Sequence, residues 1–272
     1  RSSDLDLVKV SEKEMRDIRW KEISMVPQAS MDSLNPVYRV GKQIVEVLTI
    51  RGGLSNKAAE APAAELFAMV GLSADRLENY PHEFSGGMRQ RAVIAMALAL
   101  DPALIVADEP VTALDVIVQH QVLKTFRELQ ERLNLSVIMI THDISVVAET
   151  CDDVAVMYAG KIVEHAPVKT FFSFPVHPYT LGLQNAYPNL AKPEMDLISI
   201  EGYPPDLVNP PTGCRFATRC PFAQERCFAE EPPLIEVAPG HKAACHRWKE
   251  VDLMRSLAQD AGTWQRAAAA VE

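Results

Sequence analysis

The stretch from Phe84 to Asp115 reads F-S-G-G-M-R-Q-R (Phe84–Arg91), an apolar run, L-I-V-A-D-E-P (Leu104–Pro110) and then A-L-D (Ala113–Asp115). Ser85 is a residue type that caps helix N-termini, and Gly86 and Gly87 leave backbone N–H groups bare of side chains. Ala92, Ala95, Met96 and Ala99 follow at helical spacing. A helix that begins at Ser85 points its dipole and free amides at whatever sits beside it, which suits an anion. Asp101-Pro102 ends that helix, and the β-like run from Ala103 to Ala107 carries Asp108 and Glu109 to a strand end, where open α/β sheets place their ligands. One carboxylate there suits a Mg²⁺-bound water; its neighbour can orient or deprotonate an attacking water.

Singly, each of these pieces describes an ordinary capped turn or a solvated strand end. In this order and spacing they resemble the nucleotide-binding subunit of an ABC transporter, with the signature motif at Ser85, Gly86, Gly87 and Gln90, Walker B ending in Asp108-Glu109, and the D-loop ending in Asp115. Two further phrases fit the resemblance. Met25-Val26-Pro27-Gln28, followed by Ser33-Leu34-Asn35-Pro36, is similar to the Q-loop, and T-H-D at Thr141–Asp143 places His142 where the family carries its switch histidine. The resemblance implies ATP and Mg²⁺ as ligands. It makes Glu109 the general base, Asp108 a Mg²⁺ ligand directly or through water, and Gln28 and His142 the contacts to water and γ-phosphate. Ser85, Gly86, Gly87 and Gln90 would serve the ATP of a second nucleotide-binding subunit, and Asp115 would cross the interface between the two.

The family's P-loop, G-x-x-x-x-G-K-[ST], does not occur in these 272 residues. It precedes the Q-loop in the family, so the resemblance implies a sequence that begins after it, in keeping with a first residue Arg1 rather than Met. Hydrolysis is accordingly expected of the complete protein, and the alternative is a chain that only completes its partner's ATP site.

The 27 basic and 36 acidic side chains give a net charge of −9, against a broad nucleic-acid footprint. No apolar run is long enough to cross a bilayer, and the polar, charged start is unlike a signal peptide. The expected fold is α/β: a RecA-like parallel-sheet core, N-terminally incomplete, with an inserted α-helical subdomain and an irregular Cys-rich C-terminal extension.

Residues 1–28 carry a helix at Glu12–Ile18 capped by Ser11 and a strand at Ile23–Val26; residues 29–100 hold the helical subdomain and end in the signature helix. Residues 101–166 return to the core. There a long helix bears Val122, Phe126, Leu129 and Leu133 on one face, Ser136–Thr141 reads as a fully buried parallel strand, and Ala159-Gly160 marks a hairpin that closes the core.

From 167 to 248 prolines cluster, at 175, 178, 188, 193, 204, 205, 210 and 211, and predict an extended path. Here H-P-Y-T (His177–Thr180) and G-C-R-F-A-T-R-C-P (Gly213–Pro221) resemble the C-terminal extension of the oligopeptide/dipeptide importer ATPases. This narrows the implied cargo to peptides, with nickel or some sugars as family exceptions. Cys214, Cys220, Cys227 and Cys245 are separated by five, six and seventeen residues, wider than tight zinc pairs. A [4Fe–4S] cluster, Zn²⁺, and reduced or disulfide-bonded thiols all remain open; the resemblance points to the cluster, with zinc as runner-up. His241 and His246 flank Cys245 as secondary candidates, Cys151 reads as a plain buried thiol, and residues 249–272 as a polar helix with an alanine tail.

The resemblance further implies a second ABC ATPase subunit and two transmembrane permease subunits that engage a groove near the Q-loop. It also implies an extracytoplasmic peptide-binding protein acting indirectly, and a place at the cytoplasmic face of the membrane. A soluble ABC-type ATPase of DNA repair or translation is the rival; those lack H-P-Y-T and the four-cysteine tail.

Overall fold

Three parallel strands hold the first unit together: β1 (Ile23–Val26), β2 (Leu104–Asp108) and β3 (Ser136–Ile140), in the order β1-β2-β3. The computed structural model describes residues 5–28, 33–186 and 198–269. Residues 29–32, assigned above to the start of the helical subdomain, Pro188, Pro193 and the end of the alanine tail lie outside them. The chain divides into two units, one up to Val146 and one from Val147 on.

In the first unit, α1 (Glu12–Ile18) starts at Ser11 with a reciprocal capping box to Glu14, as expected. The helical segment comprises α2 (Val40–Ile50), α3 (Asn56–Met69), two short 3₁₀ turns at Ala74–Glu78 and Pro81–Glu83, and α4 (Gly86–Ala97). Val40, Ile44 and Leu48 of α2 and Ala59, Ala63, Leu66 and Phe67 of α3 recur at helical spacing and enter one core. Helix α4 buries residues around most of its circumference, from Gly87 to Ala97, which marks it as the central helix of the unit. Helix α5 (Val116–Leu133) starts at Asp115 and stops at Asn134, whose left-handed backbone (φ 50°) ends the helix.

One face of the sheet, carrying Val26, Ile105 and Ala107, is sealed into the core with α4 and α5. The other face is open. Met25 is 51%, Ile138 52% and Ile140 48% exposed. The expectation of a fully buried β3 is therefore corrected: among the described residues β3 pairs only with β2, and only one of its faces is covered. Helix α6 (Ile144–Thr150) follows and contributes Val146 to the core.

The second unit is built on an antiparallel sheet, β4-β5-β7-β6, of β4 (Asp153–Tyr158), β5 (Lys161–Pro167), β6 (Ile235–Ala238) and β7 (His241–Ala243). Ala159 (φ 47°) and Gly160 (φ 79°) are both left-handed, the geometry of a two-residue hairpin turn. The hairpin is present as expected, and among the described residues its strands belong to this antiparallel sheet, not to the parallel one: β5 pairs with β7, so the Cys-rich region is stitched to it by a regular ladder. Between them lie α7 (Val168–Ser173), α8 (Pro178–Asn185) and α9 (Glu225–Ala229), and beyond them α10 (Val251–Ala258) and α11 (Ala261–Ala269). The expected single polar helix at the end is thus two, broken at Asp260, and they bury Met254 and Trp264.

The H-P-Y phrase has a structural cause. His177 is fully buried, and its Nδ1 accepts the Tyr179 N–H (3.1 Å), capping α8, while Pro178 takes the first helical position, where no N–H is needed. The equally buried Glu164 carboxylate accepts the N–H groups of Val176 and His177 (2.8 Å each) and bonds His241 Nε2 (2.8 Å). One side chain of β5 thereby ties β7 to the start of α8.

Burial holds the His177 imidazole neutral, its pKa lowered from 6.5 to about 3. Because the unfolded chain binds this proton more tightly, the contribution of His177 is complete above pH 6.5 and is lost as pH falls toward 3. Between those values the wild type should lose up to about 1.4 kcal/mol of stability per pH unit more than His177→Asn, which retains a capping acceptor. Urea unfolding from pH 7 to pH 4 checks this; parallel pH profiles for the two proteins would contradict it.

Candidate active site

The sheet register brings the separated motifs to one edge. Val26 pairs with Ala107 and Asp108 pairs with Ile140, so Gln28, Asp108-Glu109 and His142 all leave the sheet at its carboxyl-terminal end. Gln28 is exposed there, and Asp108 is the last residue of β2. The Glu109 N–H donates to Ile140 O (2.9 Å), extending the β2–β3 ladder one residue past the strand. Glu109 itself adopts φ 48°, a conformation disfavoured for a side-chain-bearing residue, and the chain turns sharply there.

The turn delivers the carboxylate to two partners. His142 Nδ1 lies 2.6 Å from Glu109 Oε1, and Thr112 Oγ1 donates to Oε2 at 2.8 Å. Burial raises the Glu109 pKa, but the hydrogen bonds from His142 and Thr112 and the imidazolium charge outweigh it, leaving the carboxyl below the usual range. The hydrogen bond to Glu109, and then its charge, raise His142 above 6.5. The ion pair therefore forms above the lowered carboxyl pKa and below the raised imidazole pKa, and weakens as pH rises through the latter. Glu109 is largely enclosed while His142 is 79% exposed, so the imidazole is free to meet an incoming ligand. A carboxylate held as an anion beside an imidazole can accept a proton from a bound water and orient it.

The signature residues sit at the start of α4. Ser85 Oγ accepts the Met88 N–H (3.3 Å), so this hydroxyl caps its own helix. Gly87 has a packing role beyond bare backbone: a Cβ there would lie 2.3 Å from Val118 Cγ1, so glycine lets the starts of α4 and α5 meet. Gln90 is buried one turn on. Asp115 caps α5 by accepting the Val118 N–H (3.0 Å). The structure thus joins signature and D-loop as one helix-start pair and gathers Glu109 and His142 as another.

Sequence reading passed over Thr112, although a hydroxyl three residues after Glu109 has the spacing of a tight turn. It also passed over Gln43. That buried amide accepts the Asn35 N–H (2.8 Å) and donates to Asn35 O and Tyr38 O (3.0 and 3.1 Å), pinning the S-L-N-P phrase to α2. A glutamine inside the apolar stripe of α2 was the available signal.

In the second unit, Cys214, Cys220, Cys227 and Cys245 are free thiols, and neighbouring thiols help raise the pKa values of Cys214, Cys220 and Cys245. Burial is the larger cause: it pushes Cys214 up, Cys220 well up and Cys245 up to about 12. Backbone N–H groups oppose it, from Phe216 and Ala217 to Cys214, Phe222 to Cys220 and Arg247 to Cys245. Gly213 lets the segments close up, since a Cβ would lie 2.4 Å from Cys227 O. Among the described residues no three His, Cys, Asp or Glu side chains stand in metal-holding geometry. His241 is taken by Glu164, and His246 Nε2 lies 3.0 Å from Glu230 O, so neither secondary candidate faces the thiols as a free donor.

Residues 3–112 match the model of the ABC transporter family, and residues 163–227 that of the oligopeptide/dipeptide transporter C-terminal region. The chain is 52% identical over 239 residues to the oligopeptide transport ATP-binding protein OppD of Bacillus subtilis, covering 87% of this chain and 67% of that protein. It is 49% identical over 249 residues to a probable peptide ABC transporter ATP-binding protein of Sinorhizobium fredii, covering 90% and 74%. With the dipeptide transport ATP-binding protein DppD of Lactococcus lactis it shares 50% over 241 residues, covering 88% and 69%. Among solved structures, the post-hydrolysis dimer of the ATP-binding cassette MJ0796 with ADP and Pi aligns at TM-score 0.54 and 25% identity, over 61% of this chain and 72% of that one. The chain belongs to the ATP-binding proteins of the oligopeptide/dipeptide ABC transporters.

Proposed function

We propose that this chain is the ATP-hydrolysing subunit that energises import of peptides across the cell membrane, working as one of two paired nucleotide-binding subunits. The observation that carries the mechanism is the Glu109 carboxylate fixed between His142 and Thr112 at the sheet edge. Glu109 accepts a proton from water as the water oxygen attacks the γ-phosphorus and the bond to the ADP oxygen breaks. His142 turns its exposed imidazole to the γ-phosphate, and Gln28, at the end of β1, contacts the same water. Asp108 and the Gln28 amide supply the hard oxygen donors that Mg²⁺ prefers, and the ion would neutralise phosphate charge there. Ser85, Gly86, Gly87 and Gln90 serve the partner subunit's ATP through the start of α4, and Asp115 contributes to the shared interface. The P-loop that completes the chain's own site is not among these residues.

No helix among the described residues is long and apolar enough to cross a membrane. In this reading the chain meets the cytoplasmic face of the membrane through two permease subunits, which engage the helical segment near Asn35–Tyr38, and meets the extracytoplasmic peptide-binding protein only indirectly.

The tail cysteines hold a [4Fe–4S] cluster in this reading. The support is the chemistry of the donor set and not its present geometry: four thiols of one unit, each met by a backbone N–H, with Gln224 N–H donating to Cys227 Sγ at 3.5 Å, the kind of hydrogen bonding that stabilises thiolate ligands of iron. Bound there, the cluster would neutralise the thiolates and lock the proline-rich segment; zinc is the competing occupant.

Two measurements test these roles. In the assembled transporter with its P-loop in place, Glu109→Gln should abolish turnover yet preserve ATP-dependent pairing, and His142→Ala should slow hydrolysis about 100-fold. Wild-type hydrolysis by Glu109→Gln removes Glu109 from the role of base. Protein purified without oxygen should be brown, absorb near ~400 nm and hold about four iron and four sulfide per chain. Cys220→Ser should bleach it and speed proteolysis between Pro204 and Trp248; stoichiometric zinc without sulfide would replace the cluster.

A further inference from the structure

A glutamate side chain has three rotatable bonds, and a carboxylate that must meet one water in one direction needs more than a single anchor. In this chain the two carboxylate oxygens of Glu109 have different anchors. Oε1 faces His142 Nδ1, on the loop after β3, and Oε2 receives the hydroxyl of Thr112, from the turn after β2. The two differ in permanence. His142 is largely exposed and sits on another loop, so it can swing to a ligand; Thr112 lies in the same turn as Glu109, and its own N–H donates to Glu109 O at 3.2 Å. That turn is braced on its far side by Leu114 N–H to Val111 O (3.3 Å) and by the left-handed Ala113 (φ 64°).

From this geometry we propose that Thr112 is a positioning residue for hydrolysis: its hydroxyl keeps the Glu109 carboxylate aimed when His142 leaves it for the γ-phosphate. The inference rests on the reading of Glu109 as the base. The hydroxyl touches neither nucleotide nor water in this role and acts only through Glu109. Thr112 is exposed, so its hydrogen bond contributes little to folding, and a change in rate cannot be put down to a weakened core.

The test is steady-state hydrolysis by the assembled transporter with its P-loop in place, comparing Thr112→Val, Thr112→Ala and Thr112→Ser with Glu109→Gln as reference. Valine keeps the shape and removes the donor, and alanine carries the test if valine disturbs assembly. Both should lower kcat about tenfold and leave KM for ATP within about twofold, and serine should restore kcat to within about twofold of wild type. Unchanged kcat in valine and alanine variants overturns the proposal. So does a raised KM at constant kcat, which would make Thr112 a nucleotide contact, or a serine variant as slow as the valine one. Full activity in Glu109→Gln would instead remove the underlying reading of the base, an outcome separable from all of these.

Discussion

The candidate active site depends on one contact, the 2.6 Å approach of His142 Nδ1 to Glu109 Oε1. It joins residues 33 positions apart, and it exists because β2 and β3 run parallel in a register that ends both strands at one edge. Everything upstream serves that edge. Helices α4 and α5 seal one face of the sheet, the Glu109 N–H continues the ladder past Asp108, and a disfavoured backbone conformation at Glu109 turns the carboxylate toward the imidazole. Strain of this kind persists only where its surroundings over-determine it, and it collects at functional sites. The pairing keeps the carboxylate ionised at the expense of its basicity.

The second unit has its own organising constraint, the buried Glu164. A carboxylate with no solvent access is costly unless its lone pairs are used, and here two backbone N–H groups and His241 use them. The contacts hold the hairpin, the tail strand β7 and the first turn of α8 to one another. The Cys-rich segments are then anchored from both sides, through β7 on one and through the aromatic group of Tyr158, Tyr179 and Phe216 on the other.

Much of this was legible in the residues. Ser11, Ser85, Asp115 and Asn134 bound helices as their side chains dictate, and D-E and T-H-D fall where strands end. The family was legible because its motifs are short, ordered and tied to backbone geometry. The exposure of β3 among the described residues was hidden, since hydropathy records what a strand prefers and not how many neighbours it has. Glu164 was hidden because a glutamate in a strand ordinarily reads as solvent-facing, and only the fold shows which N–H groups reach it. Thr112 and Gln43 were hidden for a related reason: a polar side chain announces its hydrogen-bonding capacity in sequence but not its partner.

The most direct test of the Glu109–His142 pair is a nuclear magnetic resonance titration of the His142 ring protons in the wild-type chain and in Glu109→Gln. The pair requires His142 to titrate above the ordinary imidazole value of 6.5 in the wild type and to fall back toward it once the carboxylate is gone. A wild-type His142 that titrates at or below 6.5, unmoved by Glu109→Gln, would contradict the pairing on which the site is built.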